Sequence, residues 1–144
     1  MSGLGRAETH RCTVGVQKAA YNRANEVSID LNSRIEIGSF DVTVAKNADI
    51  LRVYRLPRTN LFVIATVSYE DHILASEAHP DFVNMRISVS PQKRDDYLTA
   101  IAYAETQVPF KAFGPDPYDS STVTAVLRLR GRSIMRVGMS CIRH

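Results

Sequence analysis

The residue types best suited to proton transfer or metal binding concentrate in Glu70-Asp71-His72-Ile73-Leu74-Ala75-Ser76-Glu77-Ala78-His79-Pro80-Asp81. This stretch holds two of the four histidines and four carboxylates. On a short helix His72 and His79 would share a face. With Glu77 and Asp81 they form the catalytic candidates, since imidazole and carboxylate are the common proton carriers and metal ligands. The spacing matches no standard zinc pattern such as HExxH, so no metal is assigned. A polar connection between two strands would carry these residues for solvation alone.

Other chemistries find less support. There is no GxSxG elbow, GxGxxG turn or P-loop, and therefore no nucleotide cofactor or any other cofactor is expected. Asp116 and Asp119 in Gly114-Pro115-Asp116-Pro117-Tyr118-Asp119 could supply an acid to a pocket, but turn chemistry alone accounts for that segment. Met135 and Met139 fall on the inward side of an alternating strand and read as core filling. The two cysteines, Cys12 and Cys141, lie near opposite ends without a CxxC spacing. In a reducing compartment they are buried or idle thiols; in an exported chain one bridge would close almost the whole domain.

A second group of residues suits binding rather than catalysis. Arg128, Arg130, Arg132 and Arg136 would line the outward face of a terminal hairpin, with Arg52 and Arg55 (and Tyr54 between them) adding a smaller basic segment. Guanidinium groups present a planar fork of donors to carboxylates or phosphates. The charge is unevenly placed: residues 1–60 carry +3, residues 61–121 carry −5, and residues 122–144 hold five arginines and no acid. Basic ends can fold against the acidic middle of the same molecule, or one copy's basic end can meet another copy's acidic middle.

The elements that must position these groups follow from periodicity. The 144 residues, 44% hydrophobic and 23% charged, suit one domain over 1–144, with 1–13 as a possible arm. Val16, Ala19, Ala20 and Ala24 predict a short helix within residues 14–26. Alternation then predicts strands through Val27, Ile29, Leu31, Ile35 and Ile37, and onward through Phe40, Val42 and Val44. The parity switch at Gly38-Ser39 predicts a bulge or tight bend. Further strands are expected at Ile50–Leu56, Leu61–Ser68 and Val83–Val89. Ser90-Pro91 reads as a helix start, with Leu98, Ile101, Ala102 and Val108 on one face of a helix near 91–107. A β-hairpin with Gly131 in its turn closes the chain. The expected fold class is α+β, β-dominated: one curved antiparallel sheet of five to six strands with helices on its concave face.

The most apolar stretch, Leu61–Val67, has seven residues with Thr66 among them, well short of the roughly 20 needed to span a membrane as a helix. No membrane partner is expected. The location expected is cytoplasmic for a complete chain and exported for one whose leader was removed. With no convincing catalytic set, the sequence leans away from an enzyme. It points first to an association or structural module, a subunit of a homo-oligomer or larger assembly, that meets itself or another acidic protein surface through the basic hairpin. The alternative is a small enzyme or ligand-binding domain with a pocket near His72 and His79. A third reading is nucleic-acid binding through the Arg-rich strands.

Overall fold

A computed structural model describes residues 8–44, 49–70, 81–94, 98–116 and 118–144. Nine strands occur among them, β1 (Glu8–Tyr21), β2 (Val27–Ile29), β3 (Ile35–Val44), β4 (Asp49–Arg55), β5 (Phe62–Glu70), β6 (Phe82–Ser90), β7 (Ala102–Pro109), β8 (Ser121–Arg128) and β9 (Ser133–Arg143). They form two antiparallel sheets. In the first, β1 lies between β9 on one side and β2 and β3 on the other, and β8 is the outer neighbour of β9; the second runs β4-β5-β6-β7. The only helical turns described are two three-residue 3-10 turns, Leu31–Ser33 and Phe110–Ala112.

The single curved sheet with two helices is therefore overturned. The helix expected over 14–26 falls mostly on β1, whose inward residues Cys12, Val14 and Val16 are buried at period two. Its alanines favour a helix locally, but pairing along eleven positions of β9, from His10↔Arg143 to Ala20↔Ser133, overrides that weak preference. Within the segment 1–13 expected as a possible arm, residues 8–13 belong to β1, paired with β3 from Glu8 onward and with β9 from His10 onward.

The described residues of the helix expected near 91–107, namely 91–94 and 98–107, are not helical either. Ser90 Oγ does accept a hydrogen bond from the Gln92 amide, as a capping serine would, but residues 91–94 form bends and not a helical turn. Leu98 and Ile101 are exposed. Ala102, Ala104, Thr106 and Val108 then turn inward at period two, alternating with exposed Tyr103, Glu105 and Gln107.

Other expectations fall close to observed elements. The register of β1 on β3 shifts between Val14 and Gly15, which face Gly38 and Glu36. Ile37 is the extra residue of a bulge beside the parity switch. The terminal hairpin is present as β8–β9, with Gly131 at φ +64° in the connection.

The core lies between the sheets. Val14, Val42, Val137 and Met139 from the first meet Val63, Val67, Val83, Met85 and Ile87 from the second, all essentially without exposure. Met135 packs partly buried against this core. Within the core Cys12 and Cys141, direct partners across β1 and β9, form a disulfide 129 residues apart in sequence. Both are fully buried. At one edge of the sandwich the ring of Tyr54 covers Gly38 so closely that a Cβ there would run into the ring. Burial raises the Tyr54 phenol above its usual range, with the Arg52 charge pulling partly the other way.

Two predictions follow from this packing. Replacing both cysteines by alanine should lower stability by about 2–5 kcal/mol, because the bridge removes closure entropy of a very long loop from the unfolded chain. Denaturant unfolding of wild type and double variant checks it. The phenol gives a pH dependence with a definite sign: above the ordinary value of 10.0 the unfolded chain has released a proton that folded Tyr54 still holds. This contribution is fully present below that value and is lost as pH rises from it through the raised value of the folded phenol. Tyr54→Phe should therefore flatten the decline in unfolding midpoint as pH rises above 10.0.

Candidate functional site

The β8–β9 hairpin spans the first sheet and presents different chemistry at its two ends. Eight residues of β8 put those ends roughly 25 Å apart. At the turn, Arg128, Arg130 and Arg132 are exposed and make no ion pair among the described residues. The turn is fixed by backbone bonds, from the Leu129 amide to the Ser133 carbonyl and from the Ser133 amide to the Arg130 carbonyl, while the Tyr21 amide ties it to β1 through the Arg132 carbonyl. Leu129 and Val126 expose apolar surface beside these arginines.

At the other end, residues 113–120 lead from the second sheet into β8. Asp116, Tyr118 and Asp119 all point into solvent, and Tyr118 is 95% exposed. Beneath them the loop is held by buried contacts. His10 is fully buried on β1, and its Nε2 lies 2.9 Å from the Phe113 carbonyl and 3.1 Å from the Gly114 carbonyl. Two carbonyl partners require the proton on Nε2. The imidazole also packs on the Phe113 ring, with centroids 4.6 Å apart. The Gly114 amide donates to Ser121 Oγ at 3.0 Å, and the Asp116 carboxylate accepts from the Tyr118 amide at 2.8 Å. An exposed acidic and aromatic tip is thus set on a rigid base, an arrangement that reduces the ordering cost of binding.

Between these ends, on the face of the first sheet that turns away from the core, lies a trough of about 430 Å³. Its floor is bare backbone, because Gly15 and Gly138 are direct cross-strand partners. One bank carries the hydroxyls of Thr13, Ser140 and Thr122, with Thr122 Oγ1 2.9 Å from Ser140 Oγ. The other bank carries Arg34, Gln17 and Arg136, and Glu36 and Thr124 stand beside the glycines.

The predicted site residues are therefore spread over separate places. Arg128, Arg130 and Arg132 gather at the turn, whereas Arg136 belongs to the trough. Arg55 is used by its own turn, donating to the Thr59 carbonyl and the Asn60 side chain. Arg52 lies over the Phe40 ring at 5.7 Å, at the edge of the sandwich. His72, Glu77 and His79 lie outside the described residues. Asp81 accepts a hydrogen bond from the Tyr69 hydroxyl at 2.6 Å. Among the described residues no group of three or more His, Cys, Asp or Glu side chains is placed to hold a metal ion, and no helix is long and apolar enough to cross a membrane.

Sequence reasoning overlooked His10, Tyr118 and the glycine pair. His10 stands two residues before Cys12 on the alternating inward series His10, Cys12, Val14, Val16, and that series was the available signal. Comparison with protein-family models, with curated proteins and with solved structures finds no match.

The anchoring of the loop generates a contrast between two glycines with positive φ. Alanine at Gly131, where nothing lies within 4 Å of a new Cβ, should cost about 1–2 kcal/mol for the left-handed backbone alone. At Gly114 the φ is +42° and a Cβ would stand 2.8 Å from the Cys141 carbonyl oxygen and 3.0 Å from the His10 ring. Gly114→Ala should therefore cost more, about 3 kcal/mol or above. Equilibrium unfolding of the two variants side by side checks the order.

Proposed function

We propose that this chain is a non-enzymatic association module that assembles with copies of itself, the basic turn of one hairpin and the adjoining sheet face meeting the acidic loop of the next. The observation that carries the reading is the polarity of β8–β9, with exposed arginines that make no ion pair among the described residues at one end and exposed carboxylates flanking an aromatic ring at the other. Arginine and tyrosine are the residue types that most often anchor interfaces, and apolar surface beside them (Val126 and Leu129 here) is what association buries. Charge complementarity adds speed and orientation to the encounter.

The two surfaces are different, so the contact is heterologous. Each copy then offers a free acceptor at one end and a free donor at the other, and repetition gives a ring or an open filament rather than a closed two-fold dimer. Because the attraction is between exposed charges, it weakens as salt shortens the screening length to about 8 Å at physiological ionic strength and less above it.

Charge reversal with complementation tests this reading. Arg128→Glu with Arg130→Glu makes both ends acidic, and Asp116→Arg with Asp119→Arg makes both ends basic. By light scattering at low salt each variant alone should be monomeric, while an equal mixture should reassemble. Wild-type size unchanged in both single preparations would remove the proposal, as would a monomeric wild type at every concentration and salt.

A further inference from the structure

From the glycine-floored trough and the exposed loop we infer that the seat of association is one aromatic ring: Tyr118 of one copy lies on the Gly15–Gly138 floor of another. This inference rests on the self-association reading above and specifies its contact.

A central region of a sheet face is usually covered by side chains that point outward from every second residue. Here two outward positions on adjacent strands, Gly15 and Gly138, are both glycine and stand directly opposite each other. Neither carries a side chain, so their peptide planes form the floor, bordered closely by the Ile35 carbonyl oxygen, 3.2 Å from where a Gly15 Cβ would stand, and by Thr124 Oγ1, 3.3 Å from that of Gly138; a flat group can lie between these borders. Bare glycine on a sheet face is the setting that an aromatic ring from a neighbour fills well. The banks define the rest of the occupant. A row of hydroxyls, Thr13, Ser140 and Thr122, calls for a group with a polar tip; Arg34 and Arg136 call for negative charge; among the described lining residues one carboxylate, Glu36, opposes them.

Tyr118 has the matching features in the right order. It combines a flat apolar ring with a hydroxyl tip, and its carboxylate neighbours Asp116 and Asp119 are exposed on either side. In its own chain the ring is 95% exposed and covers nothing. Such exposure of a large aromatic side chain on a loop held by buried hydrogen bonds is otherwise unrewarded. With the ring on the glycine floor, the hydroxyl reaches the Thr13–Ser140–Thr122 bank and the carboxylates face the guanidinium bank. Arg128, four positions along β8 from Thr124, continues the basic border toward the hairpin turn.

The chain has no tryptophan, so Tyr118→Trp introduces a single fluorescent reporter at the ring itself. Its emission should move to shorter wavelength as concentration rises at low salt, and return to that of exposed indole at high salt. Thr124→Phe in the same background places a resident ring over Gly138 and should abolish both the shift and the assembly. Tyr118→Ala, a change on an exposed loop that leaves the core untouched, should weaken wild-type association by about thirtyfold or more, as loss of a central anchor does. Assembly with an indole that stays exposed, or a Tyr118→Ala protein that assembles as tightly as wild type, would overturn the seat while leaving charge-driven association standing. A protein that stays monomeric under every condition would overturn both.

Discussion

Pairing of the two ends of the chain at the centre of one sheet is the constraint on which the rest of this structure depends. β1 and β9 run together for eleven positions, with the Cys12–Cys141 bond between direct partners inside the core. From that pairing β8 gains its place as the outer neighbour of β9, and β3 docks on the free side of β1. It also sets Gly15 opposite Gly138, and it carries His10 to the spot where its imidazole holds the Phe113 and Gly114 carbonyls. Shifting that register by one residue would turn the glycines inward and the valines out. The bond and the buried valines beside it make such a slip costly.

This explains how a strand with helix-favouring alanines becomes the centre of a sheet. Local preference at Ala19 and Ala20 is worth only tenths of a kcal/mol per residue, whereas burying Val14 and Val16 gains roughly 1.5–3 kcal/mol for each side chain. The partner that makes the burial possible lies more than a hundred residues away, so a reading window along the chain never contains it. Residues 91–107 failed for a related reason. Ser90-Pro91 is a sound local signal, and Ser90 does bond the Gln92 amide, but the edge of β6 captures Ala102–Pro109 as β7. By contrast, β5 was legible as a continuous apolar stretch, β6 and the hairpin strands by their period-two alternation, and the ends of β4 and β8 by Pro57 and Gly131. Two sheets instead of one could not be read, since strand alternation reports that one face is buried without reporting which element buries it.

The candidate surfaces divide in the same way. Charge is a property of composition, so the arginines of the last segment and the acids of residues 61–121 could be counted in the sequence. Geometry then separated them: Arg55 serves its own turn, Arg136 enters a trough, and Arg128, Arg130 and Arg132 stay at the hairpin tip. Asp116 and Asp119 looked like turn residues and are turn residues. What the sequence did not reveal is that Gly114, His10 and Ser121 fix this turn from below, which converts an ordinary loop into a presented one. The glycine pair was invisible for want of the register that joins positions 15 and 138.

Taken together, one architectural fact, the paired ends, yields a sheet with an acidic aromatic tip at one end, a basic turn at the other and a bare floor between. The central claim is that two different surfaces of the same chain meet. Backbone amide NMR shifts of the unmodified protein, followed from dilute to concentrated at low salt, test it most directly. The account predicts that two separate groups of signals move together, those of residues 114–120 and those of the face formed by Gly15, Arg128, Arg136 and Gly138, and that both return on adding salt. Movement of only one of these groups, or of neither, would contradict it.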